Sequence, residues 1–229
     1  MRVALVHDWL VNKRGAERVL EALCEIFPEA DIFTLIYDRD KTFESLKNKK
    51  IYASFIGRLP FARSHFRYYL PLFPRAIESF ELNGYDAIIS ISHCAAKGVR
   101  HDKKTRHICY CLTPMRYVWV YQDEYFGRFR TAFKPLINYL RRWDAAASEG
   151  VGSFLAISDH VRNRIKRCYG RDSVVVFPPV DVGYFLNTSP ARKEDYYLIV
   201  TELVPYKRTR LAIEAFNALG LPLLVIGDG

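Results

Sequence analysis

The feature that most constrains the fold is the alternation of short apolar runs with amphipathic segments along the chain. Apolar runs of four to six residues are typical of buried strands, and apolar residues at spacings of three and four are typical of helices. The predicted strands are residues 2–6, 32–37, 87–92, 107–111, 154–157, 174–177, 197–200 and 223–226. Between them we predict helices behind Gly15, from Ser158 as N-cap to near Gly170, and over residues 209–219. This alternation favours a doubly wound α/β fold with a parallel sheet.

Length and composition allow one large domain with part of a second. The chain has 229 residues, half of them hydrophobic, which is enough for a substantial core. Residues 196–229 are predicted to form one strand, one helix and one strand. A parallel sheet that is covered by helices needs more than two strands. We therefore expect an N-terminal domain over residues 1–187 and a truncated start of a second domain over residues 188–229, with the boundary in the polar segment 187–195.

The first apolar run and the cysteines indicate a cytoplasmic protein. His7 and Asp8 interrupt the first run too soon for a signal peptide, and no apolar stretch approaches the roughly 18 residues of a membrane span. Five cysteines, an odd number at unrelated spacings, are typical of buried reduced thiols. Cys109 and Cys111 are predicted to share one face of a strand, but no second pair accompanies them. We expect no metal site.

The formal net charge of +9 is concentrated in two segments that contain no Asp or Glu, residues 53–77 and 127–143. Both combine cationic residues, which are arginines in the first segment and arginines with one lysine in the second, with aromatic and aliphatic residues. Three interpretations are open: aromatics packed inward beneath solvated cations, a surface that contacts anionic lipid head groups, or a site for single-stranded nucleic acid. Nucleic acid ranks last because no nucleic-acid-binding module is recognisable, and we expect no such partner.

Doubly wound folds place their chemistry where the strands end. The turn from His7 to Glu17 has the glycine spacing of neither a dinucleotide fingerprint nor a P-loop. A helix that begins at Gly15 would still offer backbone N–H groups and a positive dipole end to a phosphate. His93 and Lys97 follow the strand at residues 87–92. For these two residues, a structural role and a role at the site both remain open.

Five ordered segments resemble retaining glycosyltransferases of family 4, most closely bacterial mannosyltransferases of O-antigen and exopolysaccharide assembly. The segments read HDWL to RGAERVLEAL, YDAIISISHCAAKGV, HICYCLTPMRYVW, FPPVDVGYF, and LVPYKRTRLAIEAFNALGLPLLVIGDG. The resemblance covers the whole chain. It implies a GT-B architecture of two Rossmann-like domains, the first for the acceptor and the second for the nucleotide sugar. It also implies that the chain is the front of a longer enzyme, inactive by itself.

The resemblance assigns roles to individual residues. The residues expected to bind the donor phosphates are Gly15, Arg14, Glu202, Lys207 and Arg208. The expected catalytic residues are Lys207 and His93. The residues expected to bind the acceptor are Asp8, Trp9, Arg116 and Trp119. The arginine suits a phosphate and the indole suits a sugar face.

The chain departs from the family pattern at three positions. Arg14 stands where relatives usually have a second glycine, and Glu202 stands where they have an arginine. Leu112 replaces a histidine that contacts the transferred sugar in relatives, and leucine cannot donate a hydrogen bond. These departures bear on whether the chain is catalytic.

Two functions follow from the resemblance. The first is transfer of a hexosyl group, with mannose from GDP-mannose as the expected case, to a lipid-linked or saccharide acceptor in cell-surface polysaccharide biosynthesis. It needs a nucleotide diphosphate sugar as co-substrate but no cofactor, and it places the protein in the cytoplasm, peripherally at the inner face of the plasma membrane. The alternative is a non-catalytic module, derived from such an enzyme, that binds a membrane surface or a glycan.

Overall fold

The computed structural model describes residues 1–187, 194–204 and 207–228. The chain divides into two compact units, Met1–Pro179 and Val180–Gly229. Residue 188, the first of the predicted second domain, and Pro205 and Tyr206 lie outside the described residues. The predicted boundary after residue 187 stays a prediction.

The first unit, all of which is described, contains a parallel sheet of seven strands. They are β1 (Val3–His7), β2 (Asp31–Thr34), β3 (Ile51–Ala53), β4 (Ala87–Ser92), β5 (Arg106–Cys111), β6 (Ser153–Ala156) and β7 (Ser173–Val175). Their order across the sheet is β3-β2-β1-β4-β5-β6-β7, and each neighbouring pair is parallel. This confirms the predicted doubly wound α/β fold.

Seven α-helices connect these strands. They are α1 (Gly15–Ile26), α2 (Ala62–His65), α3 (Phe73–Glu78), α4 (Arg116–Trp119), α5 (Gln122–Phe126), α6 (Lys134–Glu149) and α7 (Asp159–Tyr169). Short 3₁₀ helices lie at Arg39–Lys41, Glu44–Leu46, Phe55–Arg58, Phe66–Leu72, Ala96–Gly98 and Gly127–Phe129. As predicted, Ser158 caps α7, because its Oγ accepts from the N–H of Val161 at 3.3 Å, and Gly170 ends the helix with φ of +69°.

The sheet is buried on both faces, which explains why its strands are continuous apolar runs. Successive residues of β1 point to opposite sides. Ala4 and Val6 join a cluster with residues of α3 and α6, whereas Val3 and Leu5 pack with residues of α1. Cys109 and Cys111 are buried in the same cluster on one face of β5, as predicted, and both are free thiols.

The strand prediction differs from the structure at both edges of the sheet, and at one of them β7 ends at Val175, not at residue 177 as predicted. Strand β3 was not predicted because its apolar run of three residues, Ile51–Ala53, is shorter than the runs of four to six residues that predicted the other strands. Strand β2 ends at Thr34, not at residue 37 as predicted. Beyond it, the N–H of Leu35 donates to Asp8 O at 3.1 Å and the N–H of Leu10 donates to Ile36 O at 2.8 Å. The apolar run therefore continues as a loop paired with the turn after β1.

The second unit contains α8 (Val182–Leu186), β8 (Tyr197–Val200), α9 (Thr209–Leu219) and β9 (Leu223–Ile226) among its described residues. Strands β8 and β9 are parallel, which confirms the predicted strand, helix, strand unit. Helix α9 follows Arg208, which has a left-handed backbone with φ of +53°. No helix in the described parts of the chain is both long and apolar enough to cross a membrane.

Candidate functional site

The sheet order reverses between β1 and β4, and in doubly wound folds ligands bind at the carboxyl ends of the strands at such a switch point. Residues 8 and 9 follow β1, and His93 follows β4. The two strands are in register with His7 opposite Ile91. Three of the predicted site residues, Asp8, Trp9 and His93, therefore meet at this point.

Asp8 holds the turn after β4 in place. Its side chain is fully buried, and its two carboxylate oxygens accept four backbone N–H groups. The donors are His93 at 2.7 Å, Cys94 at 2.9 Å, Ala95 at 2.6 Å and Ala96 at 2.7 Å. Hydrogen bonds to an ionised acceptor are among the stronger ones in proteins. Asp8 thus positions the turn that carries His93, while its predicted contact with the acceptor stays a prediction.

His93 lies against both Asp8 and Trp9. Its Nδ1 is 3.1 Å from Asp8 Oδ2 without making a hydrogen bond, and its ring centroid is 4.5 Å from that of Trp9. The side chain is 11% exposed. Burial lowers the pKa of His93 to about 4, with the Asp8 carboxylate opposing this shift and Arg116 adding to it. At neutral pH His93 is therefore an uncharged imidazole, suited to a hydrogen bond with a substrate hydroxyl.

Trp9 and Trp119 both contact other residues of the first unit. Trp9 is 6% exposed and packs on Phe66, with ring centroids 4.7 Å apart. Trp119 Nε1 donates to Asp144 Oδ2 at 2.7 Å. Of the two indoles, that of Trp9 lies against His93, and the predicted acceptor binding by Trp9 and Trp119 stays a prediction.

Lys97 belongs to the same interior network as Trp119. It is 2% exposed, and its ammonium forms an ion pair with Asp144, a carboxylate that also accepts from the hydroxyl of Tyr169 at 2.7 Å. Of the two roles that the sequence left open for Lys97, the contacts favour the structural one. The arrangement joins the turn after β4 to α6 and α7.

The start of α1 lies beside open space at the carboxyl end of β1. No heavy atom lies within 4 Å of the position that a Cβ on Gly15 would occupy. Arg14 is extended, and its N–H donates to Glu17 Oε2 at 3.1 Å. The first turn of a helix presents N–H groups and a positive dipole end. This end of α1 is accessible to an anionic group.

Sequence reasoning missed two buried polar residues at this end of α1, His7 and Glu17. His7 is 1% exposed, and its ring interacts with the backbone at Trp9 and Ala16. Burial lowers the pKa of His7 and raises that of Glu17. The available signals were a histidine closing an apolar strand and a glutamate on the inward face of a helix.

The remaining predicted residues lie at two other places. Arg116 begins α4, close enough to His93 to lower its pKa. Glu202, Lys207 and Arg208 lie in the second unit between β8 and α9. Leu112 packs against the cluster on the α1 face of the sheet and offers only hydrocarbon there.

The described residues include no group of three or more His, Cys, Asp or Glu that could hold a metal ion. A pocket of about 460 Å³ is lined by Asp86, Lys104 and Arg106, at the amino ends of β4 and β5. The pocket therefore lies at the amino ends of the strands, whereas Asp8 and His93 lie at their carboxyl ends. Three groups with shifted pKa values, His7, Glu17 and His93, lie at the carboxyl ends of the strands together with the accessible start of α1.

The fold is similar to those of solved glycosyltransferase structures. The apo form of the lipopolysaccharide outer core galactosyltransferase WaaB is 17% identical, with a TM-score of 0.54 over 100% of this chain and 61% of that protein. Alr3699/HepE from Anabaena in complex with UDP is 12% identical, with a TM-score of 0.57 over 100% of this chain and 70% of that one. The same protein with UDP and glucose is 13% identical, with a TM-score of 0.56 over 99% and 61%.

These similarities support a Rossmann-like domain of the GT-B kind. The chain spans 61% of the length of the galactosyltransferase. No curated protein matches the chain. The family model for Glycosyltransferase Family 4 matches residues 13–184, which is most of the chain. The chain therefore belongs to glycosyltransferase family 4.

Proposed function

We propose that this chain forms the acceptor-side domain, and the beginning of the donor-side domain, of an enzyme that transfers a hexosyl group from a nucleotide diphosphate sugar. One observation carries the proposal: the accessible start of α1 lies at the switch point of the sheet with His93, which follows β4. Membership of the family makes glycosyl transfer the reaction that such a site would perform.

The donor diphosphate would be bound by backbone N–H groups and cations. The first turn of α1 supplies N–H groups beside Gly15, where a phosphate oxygen can approach the backbone. Lys207 and Arg208 precede α9, the other helix assigned to this role. Alr3699/HepE is solved with UDP, which supports a nucleotide diphosphate as the donor class. GDP-mannose is proposed on the motif resemblance.

Stabilisation of the departing diphosphate would make the largest contribution to catalysis. As the sugar–phosphate bond breaks, the acceptor oxygen bonds to the anomeric carbon on the same face and its proton passes to the departing diphosphate. Preorganised N–H groups and cations stabilise the negative charge of that diphosphate as it forms. His93, held by Asp8 and uncharged at neutral pH, would contact a hydroxyl of the sugar or acceptor. No strong base is needed in this scheme.

The proposed acceptor is a lipid-linked saccharide in cell-surface polysaccharide synthesis. Arg116, which lies near His93, would provide a fork for an acceptor phosphate. The basic segments of the chain would place the protein peripherally at the inner face of the plasma membrane.

A transfer assay with a panel of donors tests this proposal. An enzyme that contains this chain together with a complete donor-side domain would be incubated with labelled GDP-mannose, UDP-galactose or UDP-glucose and a bacterial lipid extract, and label in the lipid fraction would be measured. We expect transfer from GDP-mannose and at least tenfold slower transfer by His93→Ala. His160→Ala, an exposed histidine of α7, is the matched control.

The alternative function is a non-catalytic module that binds a glycan or a membrane surface. It is favoured by Leu112, whose hydrocarbon packing removes the polar group that relatives use, and by Glu202, whose carboxylate would repel a diphosphate. Glycan binding without transfer from any of the three donors would establish this alternative and refute the first.

A further inference from the structure

Segment 55–72, which follows β3, carries an exposed group of cationic and apolar side chains. We call this group the basic aromatic surface. Its members are Arg58, Phe61, Arg63, Arg67, Tyr68 and Leu72, and all of them are exposed. The segment is anchored from within, because Ile56, Phe66 and Leu70 are buried in the core cluster on the α3 and α6 face of the sheet.

Phe61 protrudes from this surface and has an unfavourable backbone conformation. Its side chain is 80% exposed, and its φ of +53° is in the left-handed region, which few residues other than glycine adopt. Such strained positions are concentrated at functional sites. An aromatic side chain that is both solvent-exposed and held in a strained conformation contributes little to folding, so another role is indicated.

The exposed rings form a row. His65 makes an edge contact with Phe61 at 6.4 Å between centroids and stacks on Tyr68 at 5.8 Å with an interplanar angle of 10°. Tyr68 is itself 81% exposed. The rings are thus ordered by contacts with one another rather than by burial in the core.

The charge of the surface is uncompensated. No Asp or Glu occurs from residue 53 to residue 77. None of Arg58, Arg63 and Arg67 forms an ion pair with any described residue. In the other basic segment, by contrast, Arg130 pairs with Asp123 at 2.8 Å. The three arginines of the basic aromatic surface therefore have no neutralising carboxylate among the described residues or in the sequence around them.

We propose that the basic aromatic surface docks on the anionic head groups of a lipid bilayer. The arginines would contact lipid phosphates, and Phe61 and Tyr68 would enter the boundary between head groups and acyl chains. A single-stranded nucleic acid suits the surface less well, because His65 and Tyr68 already cover one face of each other's ring.

The surface is connected to the candidate site by two ring contacts. Phe66 is buried beneath the surface, and its ring centroid lies 4.7 Å from that of Trp9. The ring centroid of Trp9 lies 4.5 Å from that of His93. A docked bilayer would thus lie near the switch point. The inference deepens the proposed function, because a lipid-linked acceptor would reach the site from that bilayer, but docking can be measured without any transfer.

Vesicle sedimentation tests the inference. The protein would be mixed with neutral phosphatidylcholine vesicles or with vesicles containing phosphatidylglycerol, at low and high salt. We expect binding to the anionic vesicles that weakens as salt rises. The variant Arg58→Gln/Arg63→Gln/Arg67→Gln should bind them about a hundredfold more weakly. Lys103→Gln/Lys104→Gln/Arg106→Gln removes the same charge at the amino edge of the sheet and should bind nearly as well as the wild type.

A second pair of variants tests the aromatic contribution. Phe61→Asn should bind about tenfold more weakly without a fall in thermal midpoint, because asparagine tolerates the left-handed conformation. Phe177→Asn, at a residue that is 72% exposed after β7, should leave binding unchanged. This pair separates insertion of Phe61 from a general loss of hydrophobicity.

Equal binding to neutral and anionic vesicles, or equal losses in the two triple variants, would overturn the inference. Stronger binding to a single-stranded oligonucleotide than to anionic vesicles would assign the surface to nucleic acid instead. Intact vesicle binding by an enzyme that contains this chain and a complete donor-side domain, without transfer from any donor, would refute the proposed function alone. Transfer to a solubilised acceptor without vesicle binding would refute the docking alone.

Discussion

The backbone N–H of His93 donates to Asp8 Oδ2 at 2.7 Å across 85 positions of the sequence, and His93 Nδ1 lies 3.1 Å from the same oxygen. Three further N–H groups, from residues 94–96, complete the set around this carboxylate. The end of β1 and the turn after β4 are therefore one structural unit. Any ligand contact by His93 depends on this carboxylate.

Asp8→Asn tests how much the Asp8 carboxylate stabilises the turn after β4. An amide presents its NH₂ group to backbone donors that need an acceptor, so we expect the free energy of unfolding to fall by about 2–4 kcal/mol. Denaturant unfolding measures it. Asp123→Asn, which removes only the exposed ion pair with Arg130, should change it by less than about 0.5 kcal/mol. Equal effects of the two substitutions would contradict the role of Asp8.

Gly15→Ala separates stability from donor binding. The added methyl meets no atom within 4 Å, and alanine favours helix over glycine, so we expect stability to rise by about 0.5–1 kcal/mol. The same methyl would hinder a phosphate at the start of α1, and kcat/KM for the nucleotide sugar should fall at least about tenfold. Gly150→Ala, at the end of α6, should be neutral in the transfer assay. Unchanged kcat/KM in Gly15→Ala would remove this contact.

Lys97→Met should strongly destabilise the first unit. It would leave the buried carboxylate of Asp144 without its cation, and we expect a loss of about 3–5 kcal/mol. In Lys97→Met/Asp144→Asn the unpaired charge is gone, so the double variant should be more stable than the sum of the single losses indicates. A double-mutant cycle from urea unfolding measures this coupling. Additive losses would show that the pair is not coupled.

Acidification should destabilise the protein through His107. Ser90 Oγ lies 2.8 Å from His107 Nε2, and burial lowers the pKa of His107 to about 3, below its ordinary value of 6.5. The unfolded chain binds this proton first as the pH falls. The stabilising effect of the neutral ring is therefore complete above pH 6.5 and decreases from there towards pH 3.

Urea midpoints between pH 7 and pH 4 measure this effect, and His107 should account for about 3 kcal/mol of the loss. In His107→Gln the dependence should be weaker by that amount, although the variant starts from lower stability. His160→Gln, at an exposed position, should keep the dependence of the wild type. An unchanged slope in His107→Gln would show that other groups are responsible.

Lys207→Ala tests the donor side. Lys207 precedes α9, whose first turn presents N–H groups. In the full-length enzyme, losing a charge-assisted contact with the departing diphosphate should cost roughly 2–4 kcal/mol of transition-state stabilisation, or about a hundredfold in kcat/KM. Acceptor binding should be unaffected. Arg210→Ala, which removes an exposed pair with Glu214 inside α9, is the control. Normal activity of Lys207→Ala would refute the phosphate role.

Helices and strands whose bounds are set by residues close together in the sequence could be predicted. The bounds of β8, α9 and β9 agree with the predicted ones, and the cap at Ser158 is where its residue type indicated. Hydrophobic periodicity and capping act over one or two turns of chain, so the sequence alone determines them. The alternation of these elements also determined the parallel sheet and, with five motifs, the family.

Only the tertiary structure decided what each polar side chain contacts. The sequence does not show that β1 lies beside β4, so the four donors to Asp8 could not be inferred from it. Nor does it show that the N–H of Trp119 is satisfied by Asp144, or that Phe61 points to solvent while Phe66 is buried. These contacts join residues far apart in the chain, and their geometry arises only when the strands take their order and the helices pack on the sheet.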